Sequence, residues 1–210
     1  MENLIIYAAS YANSAHMGQQ RKWTKRPFIE HPARVAANTC LQHNVGEHEI
    51  AAAWLHDVVE DCEQYTIRVL HADGFPFETL QLVSELTNTS SSLHQLGRSV
   101  RKYIDHNRLA NVSVWAKRIK MIDIIDNIRD MAGAPESFAS LFVAEKLSLL
   151  KQIGHVSNTL YDEALAAVEE AGFKRDHCDK RTELTLNKLK VTNAKVSQNS
   201  EPVPPGPSEQ

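Results

Sequence analysis

The segment AAAWLHDVVED, residues 51–61, constrains this chain more than any other. It lies in a helix predicted from about Glu47 to Asp61, with Ile50, Ala53, Trp54 and Val58 on the apolar side, and its second half carries His56, Asp57, Glu60 and Asp61. A buried, unpaired aspartate is costly, so such groups need a partner or a metal ion. Neighbours on a helix point about 100° apart, so His56 and Asp57 cannot chelate as a flat pair. They can grip an ion in the groove between them if other helices supply the remaining ligands. Imidazole nitrogen and carboxylate oxygen suit Mn²⁺, Fe²⁺ or Zn²⁺. His31 and Asp123 are the candidates for that supply, each on a different predicted helix among apolar neighbours. Glu60 follows His56 by one helical turn and Asp61 follows Asp57 likewise, so both pairs stack along one face. A carboxylate pair near a helix C-terminus opposes the macrodipole, which favours a functional purpose over a solvated helix end.

Helical apolar spacing continues almost throughout. Leu4, Ile5, Ala8, Ala12 and Ala15 line a first helix. Pro32 fits the first turn of a second, running to about Gln42. A third covers about Glu47 to Asp61, and further helices are predicted over Phe77–Leu86, 96–108, 113–130, Ser137–Gln152 and Ser157–Ala171, with Gly172 as a stop. Asn88 to Ser92 reads as a loop, because Ser, Thr and Asn offer the backbone other bonding. No segment alternates like a strand. The expectation is an all-α domain over residues 1–173 and a polar, disordered tail over 174–210 ending SQNSEPVPPGPSEQ, with Arg181 to Val191 as one further helix.

A net charge of -3 provides no global basic field, so nucleic acid is not expected as a partner. A phosphate-bearing small molecule needs only a local patch. The three cysteines, Cys40, Cys62 and Cys178, include no CxxC pair, which argues against a disulfide framework or a thiolate zinc site and for a reducing compartment. The N-terminus lacks a basic region before its apolar stretch, and no apolar run approaches about 18 residues. No membrane partner is expected, and a cytoplasmic location follows as the default. The oligomeric state is not legible.

Two cationic clusters stand out. Arg21, Lys22, Lys25 and Arg26 surround Trp23. Arginine clamps phosphate oxygens bidentately and lysine acts as a point charge, whereas Lys25 and Arg26 read as a solvated loop. Arg98, Arg101 and Lys102 share one helix face, either solvated or facing a phosphate or subunit. On the helix that carries Asp123, Asn127 lies one turn on, Asp126 reads as a structural acid, Arg129 as an ion-pair partner, and Lys117, Arg118 and Lys120 as a solvated side. His16, His43, His48, His71, His94, His106, His155 and His177 are expected to be mostly exposed or capping.

Four blocks, HMGQQRKWTKRPFIEHP (16–32), AAAWLHDVVED (51–61), RSVRKYIDHNRLA (98–110) and IKMIDIIDNIRDM (119–131), resemble the HD-domain alarmone hydrolases in order and spacing. That family is related to the hydrolase half of the stringent-response enzymes. The resemblance covers roughly residues 4–170 and implies an HD-domain helical bundle. It implies His31, His56, Asp57 and Asp123 as ligands of Mn²⁺ or another divalent ion. It implies Glu60 and Asp61 as the pair that activates the attacking water, and Arg21, Lys22 and Asn127 as contacts to the nucleotide. Lys120 matches a recurrent family lysine. The implied reaction releases the 3′-pyrophosphate of guanosine tetra- or pentaphosphate, or of the adenosine equivalents, leaving GDP or GTP. Lys25-Arg26 departs from the Gly-Glu of many relatives and leaves the exact substrate open. The chain is too short for a following synthetase domain, so a hydrolase-only protein is expected. The alternatives are another HD-type hydrolase, acting on nucleoside monophosphates or deoxynucleoside triphosphates, and a non-catalytic nucleotide-binding regulator.

Overall fold

The computed structural model describes residues 3–88, 93, 95–131 and 133–173. The expected tail and its optional helix, and most of the Asn88 to Ser92 loop, lie outside the described residues. Among the described residues the chain is all-α, with one isolated antiparallel bridge between Gln20 and Pro27. The order is α1 (Leu4–Ala15), α2 (Glu30–Cys40), α3 (Glu47–Leu55), α4 (Val58–Asp61), α5 (Ile67–Ala72), α6 (Phe77–Leu86), α7 (Arg98–Ala110), α8 (Val114–Arg129), α9 (Glu136–Ile153), a 3₁₀ turn (Gly154–Val156) and α10 (Asn158–Glu170). No helix among the described residues is long and apolar enough to cross a membrane.

Two elements differ from the sequence expectation. The short helix α5 follows from Thr66, whose hydroxyl caps the Val69 amide, but its brief apolar pattern gives little signal. The single helix expected from Glu47 to Asp61 is two, with His56 and Asp57 at the joint. His56 Nδ1 bonds the Ala53 carbonyl at 2.8 Å, the carbonyl that a continuing helix would offer to the Asp57 amide. Asp57 then adopts φ -99° and ψ -9°, in the bridge region. The break therefore lies at the residues that face the site.

Helix α3 packs on α1, α2, α6 and α8, and α8 also packs on α2 and α10. Ala51, Ala52 and Ala53 are fully buried, and these small side chains let α3 lie close to its neighbours. Helix α8 is buried on most of its circumference, through Ala116, Ile119, Met121, Ile122, Ile124, Ile125 and Ile128. Each such isoleucine contributes roughly 1.5–3 kcal/mol when buried. Ser113 caps α8 by accepting from the Ala116 amide and donates to Glu85 at 2.5 Å, which ties the start of α8 to α6. Cys40 is exposed and Cys62 buried, both as free thiols.

Between α9 and α10 the chain turns against an aromatic ring. A Cβ on Gly154 would lie 2.3 Å from Tyr161 Cδ2, so only glycine fits without moving the ring. Gly154→Ala is expected to destabilise the fold by about 1–3 kcal/mol, through overpacking. Thermal unfolding measures this; an unchanged Tm would show that Tyr161 moves freely.

Candidate metal centre

Helix α2, the joint between α3 and α4, and helix α8 bring four side chains to one point. His31 stands in the first turn of α2, where Phe28 meets its ring edge-on at 6.0 Å between centroids. The Nε2 atoms of His31 and His56 face each other at 3.2 Å. Asp123 Oδ1 is 3.2 Å from His31 Nε2 and 3.7 Å from His56 Nε2. Asp57 Oδ2 is 3.3 Å from the first nitrogen and 3.2 Å from the second. The set in which every ligand atom lies within 4.8 Å of every other is His31, His56 and Asp123. Asp57 stands outside that set while remaining close to both imidazoles. Donors at right angles on bonds of about 2.1 Å are about 3 Å apart, so the observed spacings suit one divalent ion.

Charge balance supports the same conclusion. Burial opposes a charge on His31, but hydrogen bonds to Asp123, Asp126 and Asp57 outweigh it and hold the imidazole well above its ordinary range. Burial likewise opposes the charge on His56, yet Asp57 and Asp123 raise it to about 9. Asp57 and Asp123 lie well below the carboxylate range despite burial, held there chiefly by His56 and Lys120 respectively.

Around this point the structure adds groups that sequence reasoning placed elsewhere. Asp126 Oδ2 accepts from His31 Nδ1 at 2.6 Å, and Arg34 holds the same carboxylate at 2.5 and 3.0 Å. The structural role expected of Asp126 is therefore specific: it fixes the tautomer and orientation of His31. Arg34 was missed, although it lies on the same face of α2 one turn after His31. Lys120 corrects the expectation of a solvated side. Its ammonium pairs with Asp123 Oδ2 at 2.8 Å, and its side chain is only 15% exposed.

The expected nucleotide contacts separate into two groups. Arg21 Nη2 donates to Asn127 Oδ1 at 2.6 Å, Arg21 Nε donates to Asp130 at 2.5 Å, and Asn127 Nδ2 donates to Asp123. Arg21 and Asn127 are thus wired to the acid at the centre. Lys22 is not; its ammonium sits 4.7 Å over the Trp23 ring and 5.1 Å over Phe138. Lys25 has φ 59°, and Arg26 pairs with Glu30 at 2.6 Å, in keeping with a solvated loop. Glu60 accepts from both the backbone and the side-chain nitrogen of Asn88, each at 3.2 Å. Asp61 is pushed up to about 7 by burial and by the charges of Asp57 and Glu60. Arg129 pairs with Glu163 and Glu170 at 3.2 and 3.1 Å, as expected. His16 and His106 are buried, whereas His43, His71 and His155 are exposed, as expected of most of these histidines. His16 stacks on Phe28 at 4.6 Å and shares Nδ1 with Gln19 at 2.8 Å.

A helical bundle that gathers two imidazoles and two carboxylates at one point defines an α-domain with a candidate metal site. The model of the HD domain matches residues 8–155, and the chain belongs to that family. Similar proteins include the probable guanosine-3′,5′-bis(diphosphate) 3′-pyrophosphohydrolase of Mycoplasma pneumoniae, 25% identical over 71% of this chain and 21% of that protein. The enzyme of the same description from Synechocystis sp. is 34% identical over 63% of this chain and 17% of its own length. Guanosine-3′,5′-bis(diphosphate) 3′-pyrophosphohydrolase MESH1 of Drosophila melanogaster is 33% identical over 58% of this chain and 65% of its own. The chain thus spans about a fifth of the length of the bacterial relatives. The solved structure of a metazoan SpoT ortholog, described as hydrolysing ppGpp, superimposes with a TM-score of 0.72 at 23% identity. It covers 83% of this chain and 98% of that one, which shows the fold.

Two predictions follow from this geometry. Asp126→Asn is expected to weaken divalent-ion binding about 10- to 100-fold, since His31 loses its anionic anchor. Calorimetric titration with Mn²⁺ reads this, and undiminished affinity would remove Asp126 from the site. Ion binding requires neutral imidazoles, whereas the carboxylates around His31 and His56 favour a proton on the rings. Binding is therefore expected to release protons and to tighten as pH rises from the acid side. Titrations in buffers of different ionisation enthalpy count these protons, and the absence of release contradicts the assignment.

Proposed function

We propose that this chain is a metal-dependent 3′-pyrophosphohydrolase of guanosine tetra- and pentaphosphate, or of their adenosine counterparts, yielding pyrophosphate and GDP, GTP or the adenosine equivalents. The convergence of His31, His56, Asp57 and Asp123 beside the Arg21–Asn127 pair carries this reading. The activity by which the relatives are described supports it. His31, His56, Asp57 and Asp123 would hold the ion, which we propose to be Mn²⁺. A bound divalent ion withdraws charge from water and from phosphate oxygens, making both more reactive.

The remaining work falls to side chains of this protein. Asp61 exchanges a proton near neutral pH, as its raised pKa of about 7 allows, and receives it from the attacking water. Glu60, anchored by Asn88, fixes the other side of that water. Arg21 is clamped by Asp130 and Asn127, so its guanidinium is oriented before a nucleotide arrives and its remaining N–H groups face a phosphate. Asn127 meets the nucleoside, and Lys22 stiffens the entrance through Trp23 and Phe138 while adding positive charge. Lys120 offsets the negative charge that collects around Asp123 during phosphate attack. A cytoplasmic setting and a part in a stringent-type response belong to the same reading.

Mn²⁺-dependent hydrolysis of guanosine 3′,5′-bis(diphosphate), run beside its adenosine analogue, tests the proposal. Intact protein is expected to release pyrophosphate, and the His56→Ala/Asp57→Ala double variant to lose at least about 10³-fold of that rate. Phosphate from a nucleoside monophosphate, or triphosphate from a deoxynucleotide, would reassign the chain to another HD-type activity. Tight nucleotide binding without any product would make it a regulator.

A further inference from the structure

Helices α7, α8 and α9 line a recess of about 50 Å³ that the proposed chemistry does not use. Lys102, Lys120, Lys146, His106, Arg98 and Glu145 line it, together with apolar groups. Arg98 is satisfied, because Glu145 accepts from its Nε and Nη2 at 2.8 Å each. Lys120 reaches out of the pocket to Asp123 at 2.8 Å. Among the described residues, neither Lys102 nor Lys146 has a carboxylate within ion-pair distance. Lys146 instead rests 5.0 Å from the centre of the Phe142 ring. His106 Nδ1 is buried with no hydrogen-bond partner among the described residues. Asp105 on α7 is the other acid in the wall.

Like charges gathered in one recess repel. Burial and the charge of Lys120 bring Lys146 down to about 8. Burial, with Lys146, Lys102 and Lys120 nearby, brings His106 down to about 3, so it stays neutral. A recess with two unpaired ammonium groups is complementary to a multivalent oxyanion. Its position is informative as well. Lys120 lines the pocket and touches Asp123, so the pocket and the metal centre share a wall. Asn88 lines the pocket and bonds Glu60, which closes the junction from α4.

We propose that this pocket is a second phosphate subsite, with Lys146 and Lys102 as its donors, which holds the distal phosphate of a diphosphate whose proximal phosphate lies at the metal centre. This rests on the hydrolase reading above and deepens it. A single phosphate at the centre leaves both lysines without a partner, so the pocket distinguishes a diphosphate from a monophosphate at the cleaved position. It also retains the pyrophosphate product until that product leaves.

The test uses the full chain loaded with Mn²⁺ and titrated calorimetrically with pyrophosphate and with inorganic phosphate at constant free Mn²⁺. Lys146→Met and Lys102→Met are each expected to weaken pyrophosphate at least about tenfold and to weaken phosphate less. Arg26→Met, at an exposed cation paired with Glu30, is expected to change neither. Thermal unfolding of Lys146→Met should occur no lower than that of the wild type, because the substitution relieves repulsion. Pyrophosphate affinity that is unchanged in both pocket variants overturns the subsite, and a lowered Tm alongside it assigns Lys146 to packing. With a 3′-diphosphate nucleotide, Lys146→Met should raise KM. If no nucleotide is hydrolysed while pyrophosphate binding still depends on Lys146, the hydrolase reading fails and the anion site stands. If hydrolysis proceeds and Lys146→Met alters neither binding nor KM, the subsite alone fails.

Discussion

The hydrogen bond from His31 Nδ1 to Asp126, 2.6 Å long and fully buried, is the contact on which the rest of the centre depends. It joins α2 to α8 and turns Nε2 of the ring toward His56, Asp57 and Asp123. A carboxylate in that position raises the basicity of the imidazole and fixes its tautomer, which a metal ligand requires. Arg34 closes the arrangement by pairing with Asp126, so the anchoring acid is not itself an uncompensated buried charge. Around these polar groups the bundle is densely apolar, and the cost of burying them is offset by mutual pairing rather than by solvent.

Helix α8 carries most of the chemistry on one strip. Lys120, Asp123, Asn127 and Asp130 recur at intervals of three and four residues, and they face the ammonium, imidazole and guanidinium groups that converge on the centre. The opposite residues, Ile119, Ile122 and Ile128 among them, hold the helix in the core. A polar strip on a helix buried on most sides has no solvent to satisfy it, so its geometry is set by packing and is rigid. The break after Leu55 makes the complementary contribution: it presents His56 and Asp57 to the strip from two slightly different backbone directions.

Much of this was legible in the sequence. The 3.6-residue periodicity located the long helices, because their apolar faces are wide and regular. The four convergent residues were legible because a histidine or aspartate inside an apolar helical pattern needs a partner. Helix α5 escaped notice because six residues show less than two turns of pattern. The break at His56–Asp57 escaped because it depends on a side-chain bond to the Ala53 carbonyl, which spacing does not encode. Lys120 read as solvated because lysines usually are, and only the fold shows Asp123 drawing it inward. Lys22 illustrates the reverse case. A residue matched by resemblance to a nucleotide contact is seated on Trp23 and Phe138, and Phe138 lies more than a hundred residues away in sequence. Neither motif nor periodicity pairs such distant groups.

Four side chains on α2, the α3–α4 joint and α8 converge as one candidate ion site. Diffraction from crystals grown with Mn²⁺, collected at the manganese absorption edge, tests it most directly. One anomalous peak is expected within bonding distance of His31 Nε2, His56 Nε2 and the carboxylates of Asp57 and Asp123. A peak held by Glu60 and Asp61 instead, or no peak between the two imidazoles at saturating Mn²⁺, would contradict it.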